Sequence, residues 1–62
     1  MNTTLKQFTA EICTIKLGME HFESVSEYFS SVDEAISWAQ SLKDKGASSV
    51  ILASKDGTVF IL

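Results

Sequence analysis

Cys13 and His21 are the single cysteine and the single histidine of the chain. A thiol becomes a nucleophile when a nearby base takes its proton and a third group orients that base. Gly18 marks a turn between the two residues, which puts them on neighbouring strands where contact is geometrically open. No orienting group accompanies them, and a cysteine among apolar strand residues ordinarily serves as a small core residue. Glu23 and Glu27 share one strand parity, about 13 Å apart at the usual strand rise. Carboxylates that share a proton sit far closer than that. His21 with Glu20 or Glu23 supplies two metal-type side chains, where a stable site takes about three or four. Gly18, Gly46 and Gly57 each have a turn or a helix end to serve, so none is left for a phosphate-cradling loop. No catalytic, metal or cofactor set is expected, and the chain is expected not to be an enzyme.

The elements that carry these residues are legible in the pattern. Thr3 to Leu17 is rich in Thr, Ile, Phe and Leu and reads as a strand. Phe8, Ala10 and Ile12 share one parity, whereas Cys13, Ile15 and Leu17 share the other. The slip predicts either a β-bulge near Cys13-Thr14 or a long strand covered on opposite faces at its two ends. Gly18-Met19-Glu20 is the expected turn. His21 to Ser30 reads as a second strand with both faces mixed, which suits a sheet edge.

Ser31-Val32-Asp33-Glu34 is a capping box that opens a helix. Asp33 and Glu34 meet the positive end of the helix dipole, and Lys43 and Lys45 meet the negative end. Gly46 stops the helix. Val32, Ala35, Ile36, Ala39 and Leu42 form one apolar stripe, with Trp38 at its border as a half-buried rim residue.

Ser48 to Leu62 reads as a hairpin around Asp56-Gly57. A two-residue turn there pairs Ser54 with Val59, Ala53 with Phe60, Leu52 with Ile61 and Ile51 with Leu62. One side then shows Val50, Leu52, Val59 and Ile61; the other shows Ile51, Ala53, Phe60 and Leu62. Both sides are apolar, a pattern typical of sheets covered on both faces. One helix covers one face. The second face is expected to be covered by another copy, by a different protein, or in part by its own long side chains; in the first case Ile51, Ala53, Phe60 and Leu62 form the oligomer interface.

Size and charge narrow the partners. The chain has 62 residues, 45% of them hydrophobic and 21% charged, which fits one folded domain spanning 1–62. A chain this short buries little core, and small domains often gain stability by association. With no apolar run of about 18 residues, no membrane span is expected. The start, Met1-Asn2-Thr3-Thr4-Leu5, lacks the regions of a signal peptide. A lone cysteine fits a reducing cytoplasm. The net charge is −3, with five Lys and no Arg. Nucleic-acid binding uses clustered cations and favours Arg for base reading, so no nucleic-acid partner is expected. The stretch from Glu20 to Glu34 holds five acids and no base. It is expected either to be a solvated face that keeps the protein soluble or to meet a basic protein surface, through Glu20, Glu23 and Glu27 with Tyr28 and Phe29 as apolar anchors.

The segments Gln7-Phe8-Thr9-Ala10-Glu11, His21-Phe22-Glu23 and Ser30-Ser31-Val32-Asp33-Glu34-Ala35-Ile36 resemble those of several tiny sheet-plus-helix proteins. One group is an uncharacterised bacterial domain family whose last hairpin turns on Lys/Arg-Asp-Gly, as Lys55-Asp56-Gly57 does here. Another is the set of small bacteriophage-encoded inhibitors of host RNA polymerase and of CRISPR surveillance complexes. The resemblance spans most of the chain and lies at the level of the fold. It implies a non-enzymatic inhibitor or adaptor whose exposed charged strand or loop meets the target.

The expected fold is α+β, in the order β-β-α-β-β: a four-stranded antiparallel sheet with one helix packed on one face. The expected function is a small protein-binding module, of the inhibitor or adaptor kind, that self-associates. The alternative is a structural homo-oligomerising domain with no inhibitory activity.

Overall fold

Ser31 caps the helix in extended conformation, its hydroxyl accepting the Glu34 N–H at 3.3 Å. The Glu34 carboxylate reaches one residue further back than a simple capping box requires: it accepts the Ser30 N–H at 3.2 Å and also the Ser30 hydroxyl. These bonds pin the end of the preceding strand to the helix start. They also hold the Glu34 carboxyl below its ordinary range, the Ser30 hydroxyl acting most strongly.

The computed structural model describes residues 4–62. Along the chain run β1 (Lys6–Lys16), β2 (Met19–Phe29), α1 (Val32–Asp44), β3 (Ser49–Ser54) and β4 (Val59–Ile61). The strands form one antiparallel sheet in the order β2-β1-β3-β4, with α1 across one face. The fold is α+β of the expected kind. Thr3, the expected first residue of β1, lies outside the described residues.

The pairing of β1 with β2 runs without interruption from Lys6–Phe29 to Lys16–Met19. No bulge interrupts β1 among the described residues, so its apolar phase slip has another cause. Phe8, Ala10 and Ile12 face the helix and are buried, whereas Cys13 and Ile15 face the other way. Ile15 is exposed, so neither cover nor bulge accounts for it.

The core lies between α1 and the middle strands. Phe8, Ala10 and Ile12 of β1, Val50 and Leu52 of β3, and Ala35 and Ala39 of α1 are its buried members. Alanine on the helix lets it sit close to the sheet. Ile36, Trp38, Leu42 and Phe29 seal the margin. Trp38 meets Phe29 at a tilt with ring centroids 5.3 Å apart, and Phe29 in turn meets Phe8 at 6.0 Å.

β3 pairs with β1 from Phe8 to Cys13 only. The remainder of the β1–β2 hairpin, from Thr14 to His21, projects beyond β3 as a two-stranded arm. The molecule is accordingly elongated, 49 × 20 × 15 Å. Its radius of gyration is 12.5 Å, against roughly 10.5 Å for a compact chain of this length.

The last hairpin departs from the sequence expectation by one residue. Ala53 pairs with Val59, Leu52 with Phe60 and Ile51 with Ile61. The Gly57 N–H donates to Ser54 O at 3.1 Å, and the Ser54 N–H donates to Thr58 O at 2.8 Å. That is a type I turn over Ser54–Gly57, with Gly57 then at φ +99, the arrangement of a three-residue hairpin loop. Asp56 selects it, since its carboxylate accepts the Thr58 N–H at 3.0 Å and the Ser54 hydroxyl. Because side chains alternate, a shift of one flips every residue of β4 to the other face.

Candidate functional site

Strand parity defines the sheet face turned away from α1. From β2 to β4 it carries Glu20, Phe22, Ser24, Ser26 and Tyr28, then Gln7, Thr9, Glu11, Cys13 and Ile15, then Ser49, Ile51 and Ala53, then Val59 and Ile61. Among the described residues no helix or loop crosses this face. Phe22 is 76% exposed, Val59 55% and Ile61 79%. Val59 and Ile61 adjoin Ile51 and Ala53 on β3, whereas Phe22 stands apart on β2, beyond β1; contiguous open apolar groups like those of β3 and β4 mark interaction surfaces more often than free solvent faces.

The expected oligomer interface divides between the two faces. Ile51 and Ala53 lie on the open face. Phe60 and Leu62 lie on the helix side, packed against the core. Val59 and Ile61 take their places on the open face, for the one-residue reason above.

The expected partner-binding residues divide as well. Glu20 and Tyr28 are on the open face, while Glu23, Glu27 and Phe29 are on the helix side of β2. Phe29 is half-buried against Phe8 and Trp38, which makes it a core-margin residue rather than an exposed anchor. Glu11, which sequence reading passed over, stands at the centre of the open face beside Ser24 and Ile51. Its signal was its parity: Glu11 alternates with the buried Ala10 and Ile12. Among the described residues, the strands place two carboxylates, Glu11 and Glu20, and no Lys on this face.

Cys13 and His21 do not meet. Cys13 is opposite Phe22 and points to the open face, whereas His21 is opposite Thr14 and points to the helix side. The thiol is half-buried, 3.9 Å from a Glu20 carboxylate oxygen. It is not a core residue. Among the described residues, no group of three or more metal-type side chains converges.

The arm tip adds a second apolar feature. Leu17 and Gly18 have φ of +53 and +77, a two-residue type I′ turn. Leucine at positive φ is strained, by about 1 kcal/mol or more, where Asn, Asp or Gly is usual. Leu17 is wholly exposed, with Met19 and Ile15 close behind it. A strained and exposed leucine at a hairpin tip is a feature that folding alone does not require.

Two depressions accompany these surfaces. One, of about 390 Å³, lies between Tyr28, Gln7 and the Lys55-Asp56 turn. Asp56 there is engaged by Ser54 and Thr58, which hold its carboxyl down to about 2. The other, of about 450 Å³, lies under the arm between Ile12, Leu42 and Glu23. No helix among the described residues is long and apolar enough to cross a membrane. Compared with known proteins, the chain matches no family model, no curated protein and no solved structure.

Proposed function

We propose that the chain is a small non-enzymatic protein-binding module of the inhibitor or adaptor kind. It uses the open sheet face and the adjoining arm to cover a basic and partly apolar surface of another protein, in a reducing, cytoplasmic setting. The observation that carries this reading is the exposed set Phe22, Ile51, Val59 and Ile61 beside the carboxylates of Glu11 and Glu20. Apolar anchors supply most of the affinity at such surfaces, and the acids supply steering and register. The separation of Cys13 from His21 supports a binding role over a nucleophilic one.

The test is recovery of a binding protein from the native host on immobilised chain. A variant carrying Val59→Lys and Ile61→Lys, both on the open face at the edge far from β2, serves as control. The wild type should retain its partner at about 50 mM salt and lose most of it at about 500 mM, because exposed charges are screened. Equal recovery on the double variant, or recovery indifferent to salt, defeats the reading.

A further inference from the structure

The outer edge of β2 is eleven residues long and, among the described residues, has no neighbouring strand. The opposite edge, β4, has three residues. Long edges are usually blocked by charged side chains, Lys above all, by Pro, by a bulge or by a covering segment. Met19–Phe29 contains no Pro, Lys or Gly, and its pairing with β1 is regular; its guards are the carboxylates Glu20, Glu23 and Glu27, which deter an acidic strand and leave open one that sets neutral or basic residues against them.

The direction of its free backbone groups follows from the rest of the sheet. The Ser48 N–H donates to Cys13 O at 2.8 Å and the Lys55 N–H to Gln7 O at 3.2 Å. Odd-numbered residues of β1 thus turn their backbone to β3, and even-numbered ones turn to β2. Their partners across the ladder are the odd residues of β2. Glu20, Phe22, Ser24, Ser26 and Tyr28 therefore point both N–H and C=O away from the sheet.

We propose that β2 pairs antiparallel with β2 of a second copy about a two-fold axis at Ser24, giving a continuous eight-stranded sheet. Ser24 is the midpoint of Met19–Phe29, so this register pairs every outward N–H and C=O. It opposes Glu20 to Tyr28, Phe22 to Ser26 and Met19 to Phe29. It also sets His21 against Glu27, a ring N–H facing a carboxylate, and Glu23 against Val25. Moving the axis to Glu23 stacks that residue on its own copy. Moving it to Val25 sets Glu23 against Glu27 twice. Like charges directly opposite are unfavourable, so charge disfavours the two neighbouring registers, and axes farther from Ser24 leave more of the outward backbone of Met19–Phe29 unpaired. The strand is complementary to itself, which identifies the occupant as a second copy rather than an unrelated strand. The axis is perpendicular to the sheet, so both helices lie on one side and the two open faces merge into one.

This pairing extends the binding reading but concerns the edge, not the face, and the two fail separately. The wild type at about 100 µM should sediment at twice its 6.8 kDa. Ser24→Pro removes an outward N–H that β1 does not use, a position where an edge strand tolerates proline. Ser24→Lys sets two ammonium groups against each other on the axis. Both variants should keep the wild-type circular dichroism and sediment as monomers. In a Cys13→Ser background, Ser24→Cys should oxidise to a covalent dimer, since paired Cα atoms about 5.5 Å apart suit a disulfide. Ser26→Cys should not, since its two copies stand about 13 Å apart along the strands. A monomeric wild type at this concentration overturns the proposal. So does a Ser24→Lys dimer, or cross-linking at position 26 as fast as at 24. Val59→Lys with Ile61→Lys leaves the dimer intact, so loss of the partner alone tests the face and loss of mass alone tests the edge.

Discussion

The two hairpins of this chain turn on the same kind of signal and end differently. Each closes on a glycine at positive φ, Gly18 in the first and Gly57 in the second. In the first, Leu17-Gly18 forms a two-residue turn and the strands stay paired from end to end. In the second, the Asp56 carboxylate draws Ser54 and Thr58 together, which adds a residue to the loop and moves β4 by one position. A single side chain thereby decides which apolar residues of β4 enter the core and which are left outside. The first hairpin has the longer regular pairing, a strained leucine at its tip and the worse cover, because the helix and β3 stop short of that tip. The second has the short strand, covered on the helix side and open on the other.

That contrast can be broken, beginning at the core both hairpins share. Phe8→Ala removes the buried ring at the junction of β1, Phe29 and the helix side and should cost ~3–5 kcal/mol in denaturant unfolding; a smaller loss means that Trp38 and Phe29 collapse into the space. Next in size is the pair Phe60→Lys and Ile61→Lys. The first places a charge among half-buried core neighbours and should cost about 2–3 kcal/mol. The second should change stability by about 0.5 kcal/mol or less. If Ile61→Lys proves the more damaging, the loop has two residues rather than three.

Smaller again, Leu17→Asn relieves the strain at the arm tip and should raise stability by about 0.5–1 kcal/mol. The same change should weaken partner recovery if the tip is part of the binding surface. The smallest effect is a pH dependence. Asp56 is held near 2, below its ordinary 3.8, by hydrogen bonds from Ser54 and Thr58. A depressed carboxyl favours the folded state above its unfolded value, so this contribution is complete above about pH 4 and fades as pH falls towards 2. Asp56→Asn should flatten that part of the stability curve, and wild-type stability that holds level across the window would remove Asp56 as the determinant of the turn.

Element order, the helix with its cap and most of its stripe, and the glycines on which both hairpins close can be read from the residues alone; Val32 of the stripe is exposed, and the first turn is Leu17-Gly18 rather than Gly18-Met19-Glu20. They are local: Ser31, Glu34, Gly46 and Gly18 act within a few residues of themselves. The surplus of apolar strand surface was likewise legible, since one helix cannot shield two faces. Which residues make up that surplus was not. It depended on whether Asp56-Gly57 closes a loop of two residues or three, which the hydrogen bonds of the Asp56 carboxylate to Ser54 and Thr58 decide.

Sequence by itself thus determined the α+β order, the acidic balance and the surplus of apolar strand surface. Tertiary structure decided that β1 lies between β2 and β3, that Cys13 and His21 face opposite ways, and that Phe29 belongs to the core margin while Glu11 stands open. It also decided that β2, not β4, is the long free edge. The physical reason is that local chemistry sets where a strand begins and turns, whereas its neighbours and its two faces are settled by contacts between residues far apart in the chain.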